Sequence, residues 1–162
     1  MTRVQVAAAA AIAFAIAACD DDDPLDPGED FVAEMTVEAE VPPVAVETDA
    51  SGTARFEFDE DDDEITYTID VAGITGVTAA HIHGPATTSE PAGIIRTLFV
   101  GPAGGTGSVN GELESGSFTE TDNPGNVSMD SLLVLMRNGR SYVNVHTVAN
   151  GPGEIRGQIQ PD

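Results

Sequence analysis

The chain has 162 residues, room for one domain with a leader and a tether, and carries 17 glycines and 10 prolines but only 5% aromatics. Its 28 acidic residues face 6 basic ones, all arginine, for a formal charge of −22; such a surface repels phosphate backbones and excludes nucleic acid, while it attracts cations and keeps the molecule soluble and monomeric. A single cysteine, Cys19, excludes an intramolecular disulfide, and a lysine-free acidic surface suits a salty habitat, where salt screens self-repulsion.

Residues 1–18 read as an export signal. Arg3 supplies the positive start, and Val4 to Ile16 form an apolar stretch interrupted only by Gln5. It is shorter than the ~20 apolar residues of a membrane span. Ile16-Ala17-Ala18-Cys19 then resembles the bacterial lipobox. That resemblance implies an acylated Cys19 at the new N-terminus and a membrane partner reached through its lipid; a plain secretory signal with an incidental cysteine is the alternative. Residues 19–30 are acidic and hold almost nothing to bury, so they are expected to form an extended, disordered tether.

Residues 31–162 are expected to form one all-β domain, an antiparallel sandwich or barrel. The apolar period is two, the mark of strands with one buried face. Phe31, Ala33, Met35, Val37, Ala39 and Val41 alternate up to Pro42-Pro43. Ala54, Phe56 and Phe58 follow, then Ile65, Tyr67, Ile69 and Val71, and the six acids from Asp59 to Glu64 between these two runs read as a solvated hairpin. That acidic run lacks the glycine and the ligand spacing of a calcium loop. Later strands are expected over 79–83, 94–99, 107–113, 141–148 and 154–160, with a turn at Gly101-Pro102-Ala103-Gly104-Gly105. One helix is expected, capped by Ser128, favoured by Asp130 in its first turn and ended by Asn138-Gly139.

Three histidines carry the chemistry. His81 and His83 flank Ile82, and His146 ends the run Tyr142-Val143-Asn144-Val145-His146. On strands, His81 and His83 share a face about 6.5 Å apart, and Tyr142, Asn144 and His146 share another, with Ile82, Val143 and Val145 pointing into the core. If the two strands are adjacent, three imidazoles converge. That set would suit Zn²⁺ or copper and leave a fourth position for water or an outside ligand. Histidines beside Gly-Pro turns also hydrogen-bond backbone carbonyls, and this purely structural role stays open. Asn144, Tyr142, Arg156 and Glu154 are expected to line the same region, with Arg156 paired to an acid by default and anion binding the sharper alternative. No phosphate loop, nucleophile elbow or cysteine nucleophile is present, so no catalytic residue is assigned.

His81-Ile82-His83-Gly84-Pro85, the segment Tyr142 to Thr147, and Gly153-Glu154-Ile155-Arg156-Gly157-Gln158-Ile159 resemble the hallmark segments of CHRD (chordin-type) domains. Val41-Pro42-Pro43-Val44 and the strand start at Gly52-Thr53-Ala54 match as well. The resemblance covers about residues 31–160 and implies an extracellular β-sandwich or barrel of immunoglobulin-like or superoxide-dismutase-like type, with no catalytic mechanism to carry over. A looser likeness to copper–zinc superoxide dismutase fails on ligand number, because that dinuclear site needs more histidines than three. The sequence therefore reads as a lipid-anchored, exported CHRD protein on the periplasmic or cell-surface side. It would act as a non-catalytic binding or structural module with an unidentified protein or glycan partner. The alternative is a mononuclear copper- or zinc-binding protein.

Overall fold

A computed structural model describes residues 29–121 and 127–162. The expected export signal, Cys19 and the expected tether up to residue 28 lie outside the described residues. Among the described residues nine strands and one helix follow in chain order. They are β1 (Glu29–Thr36), β2 (Ser51–Asp59), β3 (Glu64–Thr75), β4 (Val77–His83), β5 (Ile94–Val100), β6 (Ser108–Thr119), α1 (Met129–Arg137), β7 (Tyr142–Thr147), β8 (Ile155–Gln158) and β9 (Gln160–Pro161).

The strands form one antiparallel sheet in the order β5-β4-β7-β8-β1-β2-β3-β6, with β9 added to β1. The two ends of this order curl toward each other. Arg96 of β5 lies over the Phe118 ring of β6, its guanidinium carbon 4.4 Å from the ring centre. Beside it the Tyr67 hydroxyl of β3 donates to Leu98 O of β5 at 2.7 Å. The result is all-β: a nearly closed barrel with a single short helix. The alternating residues fill it, and Phe31, Ala33, Met35, Ala54, Phe56, Phe58, Ile65, Ile69 and Val71 are all buried. Tyr67 is only half-buried because its ring leans outward to reach β5.

Helix α1 begins as its sequence requires. The Ser128 side chain accepts from Ser131 N–H, Asp130 lies in the first turn, and Met129, Leu132, Leu133 and Met136 face the core. Asn138 caps the other end, followed by Gly139 at φ +59°. The acids from Asp59 to Glu64 close the β2–β3 hairpin in solvent.

Several strand bounds differ from expectation: β3 runs on to Thr75, β6 runs to Thr119 rather than 113, the strand expected over 154–160 divides into β8 and β9, and both ends of β1 shift. Glu29 and Asp30, assigned to the tether, already pair with Phe58 and Glu57. At the other end the strand stops at Thr36 rather than Val41. Glu40 N–H donates to Val37 O at 3.1 Å, so the chain turns there. The cause is Pro42-Pro43: two residues without N–H groups cannot extend a ladder, so the chain leaves the sheet before them. The turn reverses the parity of the alternation and buries Glu40 in place of its apolar neighbours.

Candidate metal centre

β4 and β7 are neighbours, with Ala79 opposite His146, His81 opposite Asn144, and His83 opposite Tyr142. Ile82, Val143 and Val145 take the core side and are fully buried. Alternation therefore delivers His81, His83 and His146 to one place on the other side. Their ring centres stand 5.6 Å (His81–His83), 4.9 Å (His81–His146) and 5.7 Å (His83–His146) apart. One ring nitrogen from each lies within 4.8 Å of the other two. His83 is buried, and His81 and His146 are half-buried.

The hydrogen bonds set the tautomers. His83 Nδ1 lies 3.0 Å from Ala92 O, and His146 Nδ1 lies 3.0 Å from Gly151 O. A carbonyl only accepts, so each Nδ1 carries the hydrogen and each Nε2 keeps a free lone pair. Those two Nε2 atoms, together with His81 Nδ1, are buried without a partner. Burial and the neighbouring rings hold His81 well below the usual histidine range, at about 4. Burial likewise lowers His83 and His146, against the pull of their carbonyl bonds. All three imidazoles are thus neutral near pH 7, the form in which histidine ligates a metal.

The surroundings form a stacked and bonded wall. Tyr142 stacks on His83 with ring centres 5.0 Å apart and 6° between planes. The Arg156 guanidinium lies 3.5 Å from the centre of the same Tyr142 ring. Asn144 is buried, its Nδ2 3.4 Å from Glu40 Oε2 and 3.5 Å from Pro152 O. Gly153, at φ +151°, backs this contact: a Cβ there would stand 2.3 Å from Asn144 Oδ1 and 2.5 Å from Glu40 Oε1. Burial pushes the Glu40 carboxyl up to about 7 despite the nearby charge of Arg156.

The family model of the CHRD domain matches residues 31–159. This chain belongs to the CHRD domain family. Comparison with curated proteins gives no match. Comparison with solved structures gives none either. CHRD domains are of extracellular, secreted type, and among the described residues no helix is long and apolar enough to cross a membrane. In this CHRD domain the first two hallmark segments are the paired strands that carry the three histidines, and the third includes β8, which carries Arg156 beside them.

Of the residues expected to line the site, Tyr142 stacks on His83, Arg156 lies over the Tyr142 ring, and Asn144 stands opposite His81. Arg156 departs from its expected role. Among the described residues it makes no ion pair; its Nη2 donates to Thr87 O at 2.8 Å and Glu90 O at 3.0 Å, because β8 places it under the loop that follows β4. Glu154 departs further. The chain bends there, just before β8, so alternation does not apply, and its carboxylate accepts from Thr147 Oγ1 at 2.6 Å and Asn150 Nδ2 at 3.3 Å. It braces the β7–β8 loop instead of bordering the imidazoles. Glu40 is the carboxylate that stands beside Asn144, and alternation had assigned it to solvent. The signal for it was local: an acid two residues before a proline pair sits where a strand must break.

Proposed function

We propose that this CHRD domain is a non-catalytic module that binds one transition-metal ion, Zn²⁺ or copper, through His81, His83 and His146. The observations that carry this reading are the convergence of one ring nitrogen from each histidine to within 4.8 Å of the other two, and a buried ring nitrogen without a partner on each. A buried acceptor without a partner costs about 1–3 kcal/mol, and three together call for a shared electrophile. Coordination at 2.0–2.1 Å would draw the nitrogens closer by about 1 Å, within reach of small ring rotations. The carbonyl bonds of His83 and His146 supply the outer contacts that orient metal-bound imidazoles.

Purified protein equilibrated with a slight excess of zinc or copper should retain close to one equivalent per chain by elemental analysis. His146→Ala should weaken affinity by more than ~100-fold, beyond what loss of an outer contact produces. Wild-type protein that retains only trace metal would defeat the proposal.

The same reading places the module outside the cytoplasm on a lipid carried by Cys19, beyond an acidic spacer that keeps it clear of the membrane. The lipobox-like Ile16-Ala17-Ala18-Cys19 supports this. Cys19→Ser should move the protein from the membrane fraction to the soluble exported fraction and abolish fatty-acid labelling. Equal labelling of wild type and variant would overturn the anchor.

A further inference from the structure

Residues 84–93, the link from β4 to β5, are tied down by the side chains that surround the histidines. His83 Nδ1–H donates to Ala92 O. The N–H of the same Ala92 donates to the Tyr142 hydroxyl at 3.0 Å. Arg156 donates to Thr87 O and Glu90 O, and Gln158 Nε2 donates to Ala86 O at 2.9 Å. One residue, Ala92, is therefore gripped through its carbonyl by a candidate ligand and through its N–H by the ring stacked on that ligand.

We infer that Tyr142 and Arg156 are positioning residues of the metal centre, acting through residues 84–93 on the Ala92 carbonyl that orients His83, so that metal occupancy and the order of this loop are coupled. The inference rests on the metal reading above. Its physical basis is the geometry of imidazole. A lone pair on Nε2 points where the ring points, and the ring is aimed by the bond at Nδ1. A metal on Nε2 withdraws electron density and makes Nδ1–H a stronger donor, which tightens its hold on Ala92 O. A carbonyl held in place by Tyr142 and Arg156 keeps the ring on target; a carbonyl free to drift does not. Outer contacts of this kind change metal affinity by about 10–100-fold. Coupling is reciprocal, so the metal must stabilise the loop by the factor with which the ordered loop favours the metal.

The test uses the full chain with Zn²⁺ as the probe, reading affinity by chelator competition and amide exchange over residues 84–93 with and without zinc. Tyr142→Phe deletes the hydroxyl that holds Ala92 N–H yet keeps a ring against His83. It should weaken zinc binding by about 10-fold and speed metal-free exchange of the loop, while the β2–β3 hairpin exchanges as before. Arg156→Met, which removes the donor to Thr87 O and Glu90 O while keeping a long side chain, should act in the same direction. His81→Ala has no bond to the loop. It should leave metal-free exchange of residues 84–93 unchanged and abolish the slowing that zinc produces. Zinc bound tightly to wild type without slowing exchange there overturns the coupling and leaves the metal reading intact. Unchanged zinc affinity in a folded Tyr142→Phe removes Tyr142 as a positioning residue. Wild type that takes up neither zinc nor copper overturns both, and the wild-type comparison alone decides the coupling if a variant does not fold.

Discussion

Glu40 lies between the turn after β1 and the middle of β7, and is only 4% exposed. Its Oε2 faces the Asn144 amide nitrogen, while its Oε1 and Asn144 Oδ1 are buried without partners. A proton on Glu40 reconciles these facts, since a carboxylic acid can donate to the amide oxygen while accepting from the amide nitrogen. With a carboxyl held at about 7 against an ordinary 4.5, the folded form keeps its proton where the unfolded chain loses it. The stabilisation is therefore complete below pH 4.5 and disappears as pH rises through 7, by at most ~3 kcal/mol. His81 runs the other way. Its value of about 4 against 6.5 gives stability that is present above pH 6.5 and lost as pH falls toward 4. The two slopes oppose each other over the same window and mask one another in the native protein. Glu40→Gln, which supplies the donor at every pH, should match wild type near pH 4.5 and exceed it by about 1–3 kcal/mol at pH 8. Urea unfolding at pH 4.5, 6 and 8 measures this; a difference that stays constant across the three would mean that Glu40 ionisation is not its source.

Strands and helix differ from loops in how much of them can be read from sequence. β4 and β7 were legible because one apolar residue between two histidines, and two valines between Tyr142, Asn144 and His146, fix which side of a strand meets the core. Their adjacency followed from the structure alone, as did the convergence it produces. α1 was legible through Ser128, Asp130 and Gly139, whose effects act within one turn of the chain. β1 was misjudged beyond Thr36 because alternation continues through Val41 while the ladder cannot. The roles of Arg156, Glu154 and Glu40 were hidden for a shared reason. Each is set by irregular backbone folding over a strand, residues 84–93 over Arg156 and the two loops beside Asn144 over the acids, and periodicity carries no information about such segments. Closure of the barrel was equally silent, since an arginine in the run Ile94-Ile95-Arg96 gives no hint of the Phe118 ring it covers.

Over the whole molecule, charge is distributed in a way that makes salt a structural variable. The formal charge of −22 is spread over 28 acids and only 6 arginines. Two of those arginines, Arg96 and Arg156, are each 1% exposed and serve the interior, where one covers an aromatic ring and the other also ties down a loop. Arg55 and Arg137 meet Asp162 and Glu29 at the surface, pairs that contribute at most about 1 kcal/mol each. Few cations are left to offset the remaining carboxylates, so compaction forces like charges together and the folded state bears more repulsion than the expanded chain. Raising ionic strength from about 0.05 to 1 M shortens the screening length from over 10 Å to about 3 Å, which relieves the folded state more. Potassium chloride over that range should raise the unfolding midpoint by roughly 3–8 °C, equivalent to about 1–2 kcal/mol. Screening has a signature of its own: most of the rise should come below about 0.3 M, where the screening length changes fastest, and it should shrink near pH 4.5 as carboxylates take up protons. A midpoint that climbs linearly to 1 M, or equally at both pH values, would assign the effect to solute exclusion rather than charge.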